Sequence, residues 1–268
     1  MACDSSKSEE MIRSLVLALL LPVAAQAADP IHARYAVHGT VLGLDTTVAT
    51  VRADFLVSPE SYDVRLDFRT AGVVSTIITA ESDSRATGRF EGGAAAPAQF
   101  ASTGQRDGDP RRTLIAYERG EPSIRTLVPN PEPRRDPVPP ALWAGTVDPM
   151  SAMAQLFRAV NNGGRCDGHV TSFDGRRVVS FTAHTAGMQD LARAENSAYA
   201  GPALRCDVVS QQLAGFKHDS DEARMHRPQP ASAWFARLAP GGPLVLVRAT
   251  FPAVFFGTVT MYLQPAGQ

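Results

Sequence analysis

Lysine is nearly absent from this chain of 268 residues: Lys7 and Lys217 are its only two, and arginine supplies the other basic side chains. The formal net charge at pH 7 is -1, so basic and acidic side chains almost balance. Nucleic-acid binding needs a strongly basic surface, and electrostatic docking on anionic lipid needs a basic cluster. The composition therefore argues against both, and nucleic acid is not an expected partner.

Motifs for catalysis and cofactor binding are also missing. The sequence contains no G-x-S-x-G, no H-E-x-x-H and no Walker or Rossmann glycine pattern. Its one polar constellation is HDSDEARMH, in which His218, Glu222 and His226 recur at steps of four. Over this length a helix rises about 12 Å, too far for all three side chains to reach one ion. We expect a solvated loop or short charged helix there, and a non-enzymatic protein with no catalytic residue, metal or cofactor.

No apolar run in the sequence is long enough to span a membrane as a helix. Leu15–Leu21 is well short of the roughly 20 residues that a span needs. A cation precedes this run and small residues follow it, which is the order of a secretory signal peptide. We therefore expect residues 11–27 to be a signal peptide cleaved after Ala27, and the protein to be periplasmic. The polar, acidic residues upstream leave open whether translation starts at Met1 or Met11.

Cysteine is scarce as well. Of the three cysteines, Cys3 precedes the expected cleavage point, which leaves Cys166 and Cys206 in the mature chain. An even pair in an oxidising compartment favours a disulfide, and this one would close a loop of about 40 residues. Two buried thiols and a redox pair are the alternatives, although the C-x-x-C spacing of redox pairs is absent.

Short patterns with a period of two dominate the rest of the chain. Tyr62–Phe68 alternates apolar with charged residues, which predicts a strand with one buried face. Similar patterns occupy 35–55, 82–90, 113–117, 170–172, 178–181, 204–213, 233–238, 244–249 and 255–263. Asp174-Gly175 indicates a tight hairpin, and Pro252 is expected to separate the last two strands. Residues 28–268 should form a single, mainly β domain of antiparallel strands.

A proline-rich segment at residues 129–140 interrupts these strands. Proline has no N–H to donate to a central strand, so the segment is expected to be a rigid crossing. After it, Asp148 can cap a helix, and apolar residues recur at steps of three and four. This predicts a helix over residues 148–160, ended by Asn161-Asn162-Gly163-Gly164. The expected apolar face of the helix consists of Met150, Met153, Phe157 and Val160.

The crossing itself carries three residues that could flank a site: Arg135, Asp136 and Trp143. An adjacent Arg–Asp pair could belong to a catalytic loop, but a local brace in the chain explains it more simply. We expect these residues to form the rim of any cavity beside the helix.

Several of these segments together resemble a bacterial exported family known only as domain of unknown function 3108. The resemblance rests on the strand that begins near Tyr35, on RDPVPPAL and DPMSAM, on CDGHVTSFDGRR, on ALRCDVV with AGF, and on PLVLVRATFPAVFFGTVTMYL. It covers most of the chain after the signal peptide. It implies a strongly curved antiparallel sheet, an open or half barrel, wrapped around one central α-helix. That fold is similar to the lipoprotein carriers of the Gram-negative periplasm.

Two functions from different classes are compatible with these patterns, and an enzyme is a distant third. One is a binder of lipid or of an acylated partner such as a lipoprotein, acting in cell-envelope maintenance through an apolar concavity between sheet and helix. The other is an assembly or scaffold protein that contacts envelope proteins, with a filled core and an exposed apolar patch. If it is open, the concavity should have the usual size of a ligand pocket, about 300–1,000 Å³. The sequence leaves the oligomeric state undetermined.

Overall fold

A computed structural model describes residues 30–130, 134–218, 226–253 and 256–266. The predicted signal peptide, residues 11–27, lies outside the described residues. Within the described ranges, no helix combines the length and the apolar character that crossing a membrane would require.

Thirteen strands form a single sheet in the described part of the chain. They are β1 Ile31–Val41, β2 Leu44–Val57, β3 Ser61–Thr70, β4 Ala80–Glu91, β5 Ala94–Arg106, β6 Asp109–Glu118, β7 Glu121–Val128, β8 Gly168–Phe173, β9 Val178–Leu191, β10 Gly201–Ala214, β11 Gln229–Arg237, β12 Leu244–Ala253 and β13 Gly257–Leu263. Their order across the sheet is β7-β6-β5-β4-β3-β2-β1-β13-β12-β11-β10-β9-β8. Tyr35 of β1 pairs with Leu263 of β13, so two antiparallel meanders meet in the middle of the sheet.

The described ranges contain one α-helix, α1 at Pro149–Gly163, which lies in the connection between β7 and β8, the two edge strands. It packs against β2, β3, β4, β5, β8 and β12. The two meanders thus curve around a helix that the chain makes between them. The predicted open antiparallel sheet wrapped around one helix is confirmed.

The ends of α1 follow from local chemistry. Asp148 caps the first turn by accepting hydrogen bonds from the backbone N–H groups of Met150 and Ser151. At the other end Gly164 takes a left-handed conformation with φ 61°, as helix-ending glycines do. The helix continues three residues beyond the predicted Val160. Asn161 supports this extension, because its amide donates to Phe157 O (3.0 Å) and its side-chain oxygen accepts from the N–H of Leu244 (2.7 Å).

The tight turn between β8 and β9 joins the two edges of the sheet. Gly175 has φ 88°, as the Asp-Gly hairpin signal predicts. A Cβ on Gly175 would lie 3.1 Å from Leu127, so the turn packs closely on β7. Arg176 donates to Thr113 Oγ1 and to Val128 O, both at 2.8 Å. The turn therefore bridges strands from opposite ends of the sheet without a continuous ladder between them.

Several strand boundaries differ from the sequence expectations. Pro252 does not separate the last two strands; it lies within β12 and pairs with Thr258, one position from the strand end. Proline is tolerated near a strand end, where few ladder bonds are lost. The alanine-rich β5 carries too few large apolar side chains to show alternation, and neither it nor β7 was predicted. Pro97 enters β5 beside a β-bulge, where regular pairing is already interrupted.

Cys166 and Cys206 form the predicted disulfide, with their Cα atoms 5.9 Å apart. Both residues are buried. Cys166 lies between α1 and β8, and Cys206 lies in β10. The crosslink therefore ties the segment that leaves the helix to a strand two positions away in the sheet.

Replacing both cysteines by serine should lower the free energy of unfolding by about 2–5 kcal/mol, because the open loop regains chain entropy. Urea denaturation of the variant and of the wild-type protein measures this difference. Reductant should destabilise the wild-type protein and leave the variant unchanged. Two thiols that alkylate readily in the native protein would contradict the crosslink.

A buried polar network fixes the start of α1 against the sheet. Asp148 is fully buried, and it also accepts a hydrogen bond from the hydroxyl of Ser151. That hydroxyl in turn accepts from the phenol of Tyr62 in β3 at 2.7 Å. Burial raises the pKa of Asp148 to about 6, although its hydrogen bonds to Ser151 and Met150 favour the ionised carboxylate.

Because the pKa of Asp148 is higher in the folded protein than in the unfolded chain, protonation stabilises the fold. This contribution should be fully present below about pH 4 and lost as pH rises through about 6, a change of about 3 kcal/mol. Asp148→Asn keeps a good cap but cannot titrate, so its unfolding free energy should vary less over that window. Urea denaturation between pH 4 and 7 tests this, with Asp190→Asn at an exposed position of β9 as the control. A constant difference between wild type and Asp148→Asn would refute the assignment.

Candidate functional site

An apolar cavity of about 610 Å³ lies inside the curved sheet, beside α1. Its walls come from the inward-facing rows of β1, β2, β3, β12 and β13, together with the short 3-10 helix at Gly72–Thr76. Representative wall residues are Tyr35, Val37, Val51, Phe68, Phe251 and Met261. Almost the whole lining is hydrocarbon.

The alternating row of β3 shows how the cavity arises. Tyr62 and Val64 are buried, and Tyr62 bonds to the helix through Ser151. Farther along the same face, Leu66 and Phe68 are only half-buried and line the cavity. The apolar row thus continues beyond the part of the strand that the helix covers.

The predicted apolar face of the helix divides between packed core and cavity wall. Phe157 stacks on Phe55 with ring centroids 4.1 Å apart and meets Phe235 edge-on at 5.6 Å. Met150 and Val160 are buried with it. Met153 is half-buried and lines the cavity, and it also borders a smaller apolar cavity of about 150 Å³ on its other side.

Few polar groups reach the cavity. Tyr35 is buried in its wall, and its hydroxyl has no hydrogen-bond partner in the described structure. Burial raises the pKa of Tyr35 well above its ordinary value, so the phenol is neutral. Thr70 is the last residue of β3 and Arg106 is the last residue of β5. Both line the cavity, and their side chains make this end of it polar.

None of the three residues expected at the rim lines this cavity. Trp143 stacks on Phe173 with ring centroids 5.1 Å apart and does not line the cavity. Arg135 donates to Gly215 O at 2.7 Å, and the N–H of Asp136 donates to Phe216 O. This pair braces the crossing against the chain that leaves β10. Since proline supplies no N–H, the backbone N–H donors of the crossing come from its non-proline residues.

The histidine constellation lies partly outside the described residues, because 219–225 include Glu222. His218 Nε2 is 3.0 Å from Asp136 Oδ1, and the ring centroid of His226 is 3.9 Å from that of Phe216. Among the residues that the structure describes, no group of three or more His, Cys, Asp or Glu side chains could hold a metal ion.

The comparisons with known proteins concern fold and family. The chain is similar over 88% of its length to a crystal structure of a beta-barrel-like protein of domain of unknown function DUF1849 from Brucella abortus. The TM-score is 0.50 at 15% identity, and 95% of that chain is covered, which supports a shared fold. No curated protein matches the chain. The family model described as "Protein of unknown function (DUF3108)" matches residues 34–264. The chain therefore belongs to the DUF3108 family.

Proposed function

We propose that this protein is an exported, non-enzymatic binder of an apolar chain, carried by a lipid or by an acylated partner, and acts in cell-envelope maintenance. The observation that carries the proposal is the cavity of about 610 Å³ with its nearly complete hydrocarbon lining. Its volume falls within the range of about 300–1,000 Å³ that ligand pockets usually have. A void of this kind forfeits dispersion contacts when empty, and a bound chain restores them.

The lining favours an acyl chain over a compact polar molecule. A polar ligand would leave its hydrogen-bonding groups unpaired against side chains such as Val51 and Phe68, at substantial cost. An acyl chain gains about 0.8 kcal/mol for each methylene that leaves water. About ten methylenes would contribute on the order of 8 kcal/mol before the cost of association is subtracted.

The sequence and the crosslink support the proposed compartment. Residues 11–27 have the composition of a signal peptide, and the Cys166–Cys206 disulfide suits an oxidising environment. The periplasm provides that environment and also borders membranes, which are a source of apolar chains.

A second candidate function is envelope assembly through protein contacts. It is favoured by exposed apolar side chains on the rim of the sheet beside the cavity: Leu42 is 97% exposed, Leu44 72% and Ile77 74%. Gly72 packs against the backbone of Thr47, so the 3-10 helix and the start of β2 are adjacent there. A protein that acts only as a scaffold needs this patch but has no use for an open cavity.

Met153→Trp distinguishes these functions because its larger side chain would occupy the cavity. If the cavity is open, unfolding free energy should change by less than about 1 kcal/mol, since the added bulk meets no packed neighbour. Affinity for a fluorescent fatty-chain probe should fall about tenfold or more. A tenfold loss corresponds to the burial of about two methylene groups of the probe. Probe titration and urea denaturation measure the two effects.

Met188→Trp is the matched control, because Met188 is 68% exposed on β9 and does not line the cavity. It should bind the probe as the wild-type protein does. If Met153→Trp instead loses about 1–3 kcal/mol of stability, the cost of overpacking a filled core, and the wild-type protein binds no probe, the carrier function is wrong. The scaffold function would then be the better account.

A further inference from the structure

A second cleft, of about 430 Å³, opens beside the apolar cavity and has a very different lining. Six of its residues are basic: Arg106, Arg111, Arg134, Arg135, Arg176 and Lys217. Asp109 is the one acidic residue among its described lining residues. In a chain whose net charge is -1, this concentrates positive charge in one concave surface.

Apart from Arg106, whose Nε lies 3.6 Å from Asp107 Oδ2, the arginines of the basic cleft are not neutralised by nearby carboxylates in the described structure. Among the described residues, Arg111, Arg134 and Arg176 form no ion pair within 4 Å with an acidic side chain. The carboxylate of Asp174 lies nearby, but Arg177 binds it through two nitrogens, at 2.9 and 2.7 Å. The cleft therefore retains charge and donors for an external anion.

Two arginines of the cleft have unfavourable surroundings that a bound anion would improve. The Nε atom of Arg111 is buried and has no hydrogen-bond partner in the described structure, a cost that a bound acceptor would relieve. Partial burial, followed by the positive charges of Arg177, Arg176 and Arg111, lowers the pKa of Arg135 from its ordinary value, although Asp174 opposes this. An anion in the cleft would offset the same repulsion.

Arg106 connects the cleft to the apolar cavity, because it lines both. It stands at the end of β5, where it pairs with Ala80 on one side and Asp109 on the other. Ala80 lines the cavity and Asp109 lines the cleft. The cavity and the cleft are therefore adjacent at the end of β5, where Arg106 lines both.

We propose that the basic cleft binds the anionic headgroup of a phosphorylated amphiphile whose apolar chain occupies the cavity, with Arg106 at the junction. This inference rests on the proposed function, and it specifies the ligand as an anionic one with head and chain in adjacent sites. Guanidinium groups suit this role because they hold phosphate oxygens through paired hydrogen bonds.

The test compares three probes: a lysophosphatidic acid, the monoacylglycerol with the same chain, and inorganic phosphate. The wild-type protein should bind the lysophosphatidic acid about tenfold or more tightly than the monoacylglycerol, since one hydrogen bond to a charged group already supplies that ratio. Arg111→Gln combined with Arg134→Gln should abolish most of the preference and keep monoacylglycerol affinity within about twofold. Inorganic phosphate should bind far more weakly than the lysophosphatidic acid, because it gains nothing from the cavity.

The matched control is Arg89→Gln combined with Arg112→Gln, which removes the same charge from exposed positions outside the cleft. It should preserve the preference. Equal binding of the two amphiphiles by wild-type protein would overturn the headgroup site and leave the apolar carrier intact. Phosphate that binds as tightly as the lysophosphatidic acid would overturn the link between the two sites. If neither amphiphile binds, the proposed function fails and this inference fails with it.

Discussion

The structure depends on a difference in size: the helix α1 is narrower than the inward-facing surface of the sheet that surrounds it. The helix α1 packs against β2, β3, β4 and β5 in turn, so it crosses the strands and does not run along one of them. A helix is about 10–12 Å wide with its side chains, whereas a strand of ten residues is about 33 Å long. Each strand therefore presents more inward-facing surface than one crossing helix can cover. The cavity is the uncovered remainder, and no separate element is needed to create it.

The topology keeps this remainder concave and accessible from the rim. Because β1 pairs with β13, the curved centre of the sheet is continuous where the cavity lies. The edge strands β7 and β8 come together through the turn at Gly175 and the hydrogen bonds of Arg176. This contact also places Arg176 beside the end of β7. Arg176 lines the basic cleft there. The approach of the two sheet edges and the concentration of arginine thus share one contact.

The sequence predicted the features that depend on local patterns. The helix, its cap at Asp148, the turn at Gly175 and the Cys166–Cys206 pair each follow from neighbouring residue types or from a count of cysteines. Strand β5 was missed because its many alanines give little alternation of large apolar and polar side chains. The placement of strand ends around Pro252 depends on pairing partners, which a single-sequence pattern does not contain.

The site was harder to predict because it is assembled from distant segments. Of the four expected helix-face residues, Met153 lines the cavity of about 610 Å³, whereas Phe157 packs against Phe55 and Phe235, and Met150 and Val160 are buried. Most of the cavity wall comes from strands, and which strand residues stay uncovered depends on where the helix crosses them. The basic cleft gathers its arginines from β5, from β6, from the proline-rich crossing and from the turn between β8 and β9, so no single charge run in the sequence predicts it.

The most direct test of this account is to identify what the native protein carries. Protein purified from its native host without detergent should be analysed by native mass spectrometry and by mass spectrometry of its extracted lipids. We expect about one apolar-chain molecule per wild-type protein, more than is found on Met153→Trp prepared in the same way. Wild-type protein that carries no more lipid than this variant, and gains none when incubated with vesicles, would contradict the central claim that the cavity is a binding site.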